Sequence, residues 1–472
     1  MIFSGAPRSP SCSGSDPSET AECGHLTAER WQDYTLLFAE FDDEGWLVSP
    51  HSSAIAFGYE PVQPATKTSG AADGSYVPRD TIGDIKSTLR DVCDPTLVVV
   101  FIHGWKHSAA FDDENVRSFR QELESLAQLE NKRAEVENRI ERKVIGIYIG
   151  WRGAPFLAQP PLASLENLTF FQRKSAAENV ARGSVQELLA FVTEFERGRN
   201  LFHTQCTRPT RGDILPVGAV QCESHWCNVS NIERQKQVQT IFIGHSFGGL
   251  ILFEATVQPL LTYIVDGELD TRDDIGEKAR LALSADLVVL LNPAVEASRF
   301  EPLYRAMRGE RFARYFGPRT IAITSTADTA TGDAFPITRY FSDSYESEDK
   351  RTAYSNTIGH APMYFTHTLE HFADCTTTQN VAFSPGPLPE TDSACIGGSE
   401  LRLAAQTDSV GRNDNGCGNY REFWNISAAP EIMIDHNDIL NEKLRSFVNA
   451  FALDLMKTQS DTTFRRCWPP HG

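Results

Sequence analysis

Long apolar runs are missing from this 472-residue chain. No stretch reaches the ~18 uninterrupted apolar residues that a membrane-spanning helix needs; the nearest, Ile241 to Val265, is broken by His245, Ser246 and three glycines. No transmembrane segment is therefore expected. Positive charge is scarce as well: 44 Lys and Arg against 63 Asp and Glu leave a net charge of -19. With no local basic patch, that balance disfavours phosphate backbones and anionic lipid heads, and no nucleic-acid partner is expected. Met1 to Asp16 holds no apolar core of the kind an export signal carries. The ten cysteines include no C-x-x-C pair, so neither a redox motif nor a dense disulfide scaffold is implied.

What is present is ordinary globular material. Apolar residues at 41% and charged residues at 23% exclude disorder for the bulk of the chain. Residues 1–26 read as a flexible leader, 27–458 as one domain with insertions at about 197–232 and 332–429, and 459–472 as a tail. Eight cysteines (Cys12, Cys23, Cys206, Cys222, Cys227, Cys375, Cys395 and Cys417) fall in loop-like stretches. That placement favours disulfides, among Cys206, Cys222 and Cys227 or between Cys375 and Cys395. The sequons at Asn167, Asn228 and Asn425 are permissive of secretion. An exported or envelope-associated protein is slightly favoured over a cytoplasmic one.

Tyr34 to Phe41, the turn Asp42-Asp43-Glu44-Gly45 and Trp46 to Val48 read as a hairpin. After an amphipathic piece at Ile82 to Leu89 come runs that are apolar on both faces, as strands inside a parallel sheet are. They are Leu97 to Ile102, Val144 to Ile149, Thr240 to Ile243, Leu287 to Leu291 and Thr320 to Thr324, with a last strand at Glu431 to Ile434. Between them run helical patterns at Glu114 to Arg142, Gln172 to Phe195, Phe247 to Val265 and Leu440 to Leu455. Strand alternating with helix predicts a three-layer α/β fold with a doubly wound, mostly parallel sheet. The two insertions are read as a possible cap.

The sharpest motif is Gly244-His245-Ser246-Phe247-Gly248-Gly249, between a strand and a helix. In a G-x-S-x-G pattern the serine occupies a strained strand-to-helix turn that pushes its Oγ into the open, and the glycines make room for close backbone packing. A second element is Val98-Val99-Val100-Phe101-Ile102-His103-Gly104-Trp105. Together they resemble the α/β-hydrolase superfamily, specifically its serine esterase and lipase-like members, over Tyr34 to about Leu291, Thr320 to about Asp333 and Glu431 to Leu455. The resemblance implies an oxyanion hole from the backbone N–H groups of Trp105 and Phe247, each worth ~3 kcal/mol in the transition state. His103 itself is read mainly as a buried ring that shapes this loop.

The superfamily's order of nucleophile, acid and histidine implies Ser246, then an acid after a later strand, then a histidine near the end. Asp328 is the expected acid, with Glu296 and Asp333 as alternatives. His436, between the last strand and the C-terminal helix, is the expected base; His360, His367 and His371 are the other candidates, His360 foremost. His203, Cys206, Cys222, His225 and Cys227 have zinc-ligand chemistry but fit no common spacing. Trp151-Arg152-Gly153 is read as packing beside the site. No metal or cofactor is implied. The expected activity is hydrolysis of a small-molecule or lipid ester through an acyl-enzyme. Acyl transfer or thioester cleavage on the same residues, or a silent fold used for binding, are the alternatives.

Overall fold

The computed structural model describes residues 28–48, 81–105, 107–110, 113–151, 166–205, 237–269, 284–308, 318–332, 352–353, 355–371, 393–395, 401–405 and 422–460. Among these residues, eleven strands form one sheet in the order β1-β2-β4-β3-β5-β6-β7-β11-β8-β10-β9. They are β1 (Ala28–Arg30), β2 (Tyr34–Phe41), β3 (Thr96–Ile102), β4 (Lys143–Trp151), β5 (Val238–His245), β6 (Leu287–Leu291), β7 (Thr320–Ser325), β8 (His367–His371), β9 (Ser393–Cys395), β10 (Leu401–Ala405) and β11 (Phe423–Ala428). From β2 to β8 every neighbouring pair is parallel. The pairs β1–β2, β8–β10 and β10–β9 are antiparallel.

The central runs are buried from end to end because helices cover both faces. Val98, Val100 and Ile102 of β3 point into one apolar cluster, shared with α1 (Thr81–Asp91), α3 (Glu166–Arg182), α4 (Val185–Gln205), α5 (Phe247–Leu269) and α6 (Ala297–Arg308). Leu97, Val99 and Phe101 point into the other, shared with α2 (Glu114–Val136) and α8 (Glu442–Ser460). A four-residue helix, α7 (Thr329–Gly332), follows β7. The chain is therefore α/β with a mostly parallel sheet between two helical layers. Among the described residues, Phe247–Val265 of α5 is the one stretch long and apolar enough to cross a membrane, and more than half of it is buried inside the protein.

Several sequence expectations need correction. Trp46 to Val48 forms no strand: a single bridge, Phe41 to Leu47, follows the turn, and Asp42 Oδ1 accepts the Glu44 and Trp46 N–H groups at 3.1 and 2.8 Å. The antiparallel neighbour of β2 is β1 instead, tied to α2 by a two-pronged Arg120–Glu29 pair with both contacts at 2.8 Å. The helix expected over 114–142 ends at Val136, because Asn138 adopts φ of 49°, a left-handed conformation that stops helices. The helix expected over 172–195 is two helices that part at Gly183-Ser184, where Gly183 packs directly on the Gly45 backbone.

Parts of the two expected insertions lie in regular elements. Residues 197–205 continue α4, while 206–232 lie outside the described residues. The described part of 332–429 supplies β8 to β11 and so extends the sheet. The last strand is Phe423–Ala428, not Glu431 to Ile434. Asn425 lies fully buried inside that strand, its Nδ2 donating to the Ile358 oxygen at 2.7 Å, so it offers no glycan acceptor in the folded protein. Cys93, outside the eight loop-like cysteines, is disulfide-bonded. Cys206, Cys222, Cys227 and Cys375 lie outside the described residues.

Candidate active site

β5 ends at His245 and α5 starts at Phe247, so the reversal falls on Ser246 alone. Its φ is 54°, a region that costs a non-glycine residue free energy unless its surroundings hold it. They do: Ser246 N–H donates to the Leu291 oxygen at 3.0 Å, and its own oxygen accepts the Leu250 and Ala294 N–H groups at 3.1 and 3.0 Å. The glycines permit the approach of helix to sheet. A Cβ on Gly248 would lie 2.2 Å from the Ile102 oxygen and 2.6 Å from the His103 oxygen, which no side chain can accommodate.

His436 Nε2 stands 2.9 Å from Ser246 Oγ, and its Nδ1 stands 2.9 Å from Asp328 Oδ1. With a neutral ring, the serine hydroxyl donates to Nε2 and Nδ1–H donates to the carboxylate. Asp328 lies three residues past the end of β7 with its side chain fully buried. Burial pushes its carboxyl pKa up, but the hydrogen bond and charge of His436 and the Thr331 donors outweigh this and hold it below the ordinary value. Ala330 N–H and Thr331 N–H donate to Oδ1 at 3.0 and 3.1 Å, and Thr331 Oγ1 donates to Oδ2 at 2.5 Å. An ionised, fully hydrogen-bonded carboxylate beside an imidazole can fix its tautomer and stabilise its protonated form.

The loop after β3 runs against this group. A Cβ on Gly104 would fall 2.9 Å from Ser246 Cβ and 2.6 Å from His245 Nδ1. Trp105 follows in that loop, its ring edge-on to Phe247 at 6.4 Å. Phe247 opens α5, so its N–H stands at a helix N-terminus, where the dipole favours negative charge. His103 has both ring nitrogens engaged with backbone: Nδ1–H donates to the Gly104 oxygen at 2.8 Å and Nε2 accepts Trp151 N–H at 3.0 Å. Burial lowers its pKa to about 4. It shapes the loop, and Trp151 stacks on it at 5.8 Å; Arg152 and Gly153 lie outside the described residues.

The alternatives are engaged elsewhere. Glu296 is fully buried and paired with Lys174 and Arg299. Asp333 lies outside the described residues. His360 Nδ1 contacts Thr357 Oγ1 at 3.0 Å and Thr331 Oγ1 at 3.5 Å, which places it beside the partner of Asp328. His367 Nδ1 bonds Thr366 Oγ1 at 2.9 Å, with its ring on Trp424. His371 ends β8. Among the described residues no group of three or more His, Cys, Asp or Glu side chains could hold a metal ion.

Sequence reasoning missed Thr331, Ser325 and Asn292. Ser325 Oγ donates to the Met433 oxygen at 2.6 Å, and Asn292 Nδ2 to the His436 oxygen at 2.9 Å. For Ser325 and Asn292 the pattern carries no mark, since their partners lie more than a hundred positions away; at 292 the only local sign is an Asn-Pro step after a strand. Compared with known proteins, the chain matches no family model and no curated protein.

Proposed function

We propose that the protein is a serine hydrolase of the α/β-hydrolase type that cleaves carboxylic esters. One observation carries the reading: the unbroken chain from Ser246 Oγ through His436 to Asp328, with both contacts at 2.9 Å and the serine on a strained turn at the end of a central strand. In this mechanism His436 Nε2 takes the Ser246 proton as Oγ attacks the ester carbonyl. The carbonyl oxygen, now negative, is met by the N–H groups of Trp105 and Phe247. The imidazolium, stabilised by Asp328, returns the proton to the departing alkoxide and leaves an acyl-Ser246. Water attacks that acyl group with His436 again as base, releasing the acid and restoring the serine. No cofactor enters these steps.

Ester hydrolysis and thioester hydrolysis or acyl transfer use the same three residues, and they differ in leaving group and in the acceptor of the acyl group. The test combines p-nitrophenyl esters of rising chain length with a fluorophosphonate probe. Ser246 is expected to be the labelled residue, and Ser246→Ala to lose both labelling and hydrolysis. Covalent labelling at another serine, or undiminished hydrolysis in the variant, overturns the reading.

A further inference from the structure

The segment from Ala429 to Asn441, which carries His436, belongs to neither strand nor helix. Several of its carbonyl oxygens accept side-chain donors, from the end of the segment itself and from other elements. Asn441 Nδ2 donates to the Ile432 oxygen at 2.7 Å, and Ser325 Oγ to the Met433 oxygen at 2.6 Å. The oxygen of His436 itself receives two donors at equal distance: His245 Nε2 at 2.9 Å and Asn292 Nδ2 at 2.9 Å. Asn292 Nδ2 also lies 3.4 Å from the Asp435 oxygen.

Both donors are rigidly mounted. His245 is the last residue of β5 and Asn292 the first after β6, and each is fully buried. Asn292 has φ of 43°, a conformation asparagine tolerates better than most residues. Its N–H donates to the Ile323 oxygen at 2.9 Å, and its Oδ1 accepts Ser325 N–H at 2.9 Å, which ties it to β7 as well. The His245 contact is to a carbonyl oxygen, so Nε2 must carry the proton. Burial, with the nearby His436 and His107 rings adding to it, lowers the His245 pKa well below the ordinary value and keeps that ring neutral. The two imidazoles lie 4.9 Å apart, centroid to centroid.

We propose that His245 and Asn292 are positioning residues that clamp the main-chain oxygen of His436 from the ends of two adjacent strands, and so aim its ring at both Ser246 and Asp328. This inference rests on the hydrolase reading for its kinetic consequence and on the hydrogen-bond geometry alone for its structural one. Removing either donor leaves the backbone of the base held from one side. A displacement of about 1 Å at a reacting group can cost on the order of 100-fold in rate.

The experiment uses the full-length protein and three variants: Asn292→Asp, which keeps shape and acceptor but not the donor, His245→Leu, and His245→Gln, whose Nε2 can take the place of the imidazole donor. Two readouts are followed: kcat and KM on a p-nitrophenyl ester, and the low-field proton resonance of His436 Nδ1–H bonded to Asp328. In Asn292→Asp and His245→Leu, kcat is expected to fall about 100-fold with KM within threefold, and the resonance to be lost. His245→Gln is expected to recover at least tenfold over His245→Leu. Because the donors share one acceptor, the double variant should lose much less than the product of the two single losses. A folded Asn292→Asp or His245→Leu variant that keeps parental kcat or the parental resonance overturns the clamp, and His245→Leu tests it independently if Asn292→Asp does not fold. Should the parent hydrolyse no ester, loss of the resonance in the variants still supports the clamp while the hydrolase reading falls.

Discussion

Ser246 and His436 meet at 2.9 Å, yet they are held by different means. The serine turn is fixed by main-chain hydrogen bonds to residues within a few positions, on the next strand or just after it. The histidine segment hangs on side chains from β5, β7, the end of β6 and the start of α8. A turn built from backbone groups and glycines leaves a short local signature. A segment held by distant side chains leaves almost none.

The largest expected effect breaks the histidine side of this contrast. His436→Ala should lower turnover by about 10⁴ or more, the scale seen when a triad member is removed. His360→Ala should change it by less than about tenfold, because the His360 ring meets Thr357 and Thr331, while Ser246 Oγ is met by His436. Steady-state kinetics on the same p-nitrophenyl ester decides; equal losses in the two variants would mean the base is misassigned.

Gly248→Ala strikes the serine side. Its Cβ has nowhere to go between the Ile102 and His103 oxygens, so a loss of about 3 kcal/mol or more is expected in urea unfolding. A loss under about 1 kcal/mol would show that the turn relaxes easily.

A third test sharpens the contrast through α8, into which the histidine segment leads. Glu122 of α2 is buried against that helix; burial raises its pKa to about 8, only partly offset by Arg445 and Asn449. A folded-state pKa above the unfolded value means its contribution is fully present below about 4.5 and is lost as pH rises to about 8. Stability should therefore fall over that interval by roughly 2–4 kcal/mol from this group. In Glu122→Gln this component of the fall should disappear, as read from urea midpoints at pH 5 and pH 8. An unchanged pH profile would show that Glu122 ionises without cost.

Much of this was legible in the sequence, for reasons that differ by element. Leu287 to Leu291 matches β6 residue for residue, because a strand buried on both faces must be apolar throughout. Ile432-Met433-Ile434 looks equally strand-like but is not one. Two of these three side chains fill the core while the third is 72% exposed, and the backbone is spent on side-chain anchors. The strand Phe423–Ala428 carries no clear apolar signature because Asn425 and Ser427 interrupt its pattern. Asn425 is tolerated there because Nδ2 has the Ile358 oxygen to donate to.

The sequence by itself determined the alternation of buried strands and amphipathic helices and the strand-to-helix turn at Ser246. Each depends on local periodicity or on glycine at fixed spacing. Tertiary structure alone decided which imidazole meets the serine and which carboxylate meets that imidazole, that Glu296 is committed to Lys174 and Arg299, and that His245 and Asn292 converge on one oxygen. Apart from the local Arg299–Glu296 pair, these depend on contacts between residues 108 to 191 positions apart, whose partners become neighbours only when the parallel sheet brings the ends of its strands together.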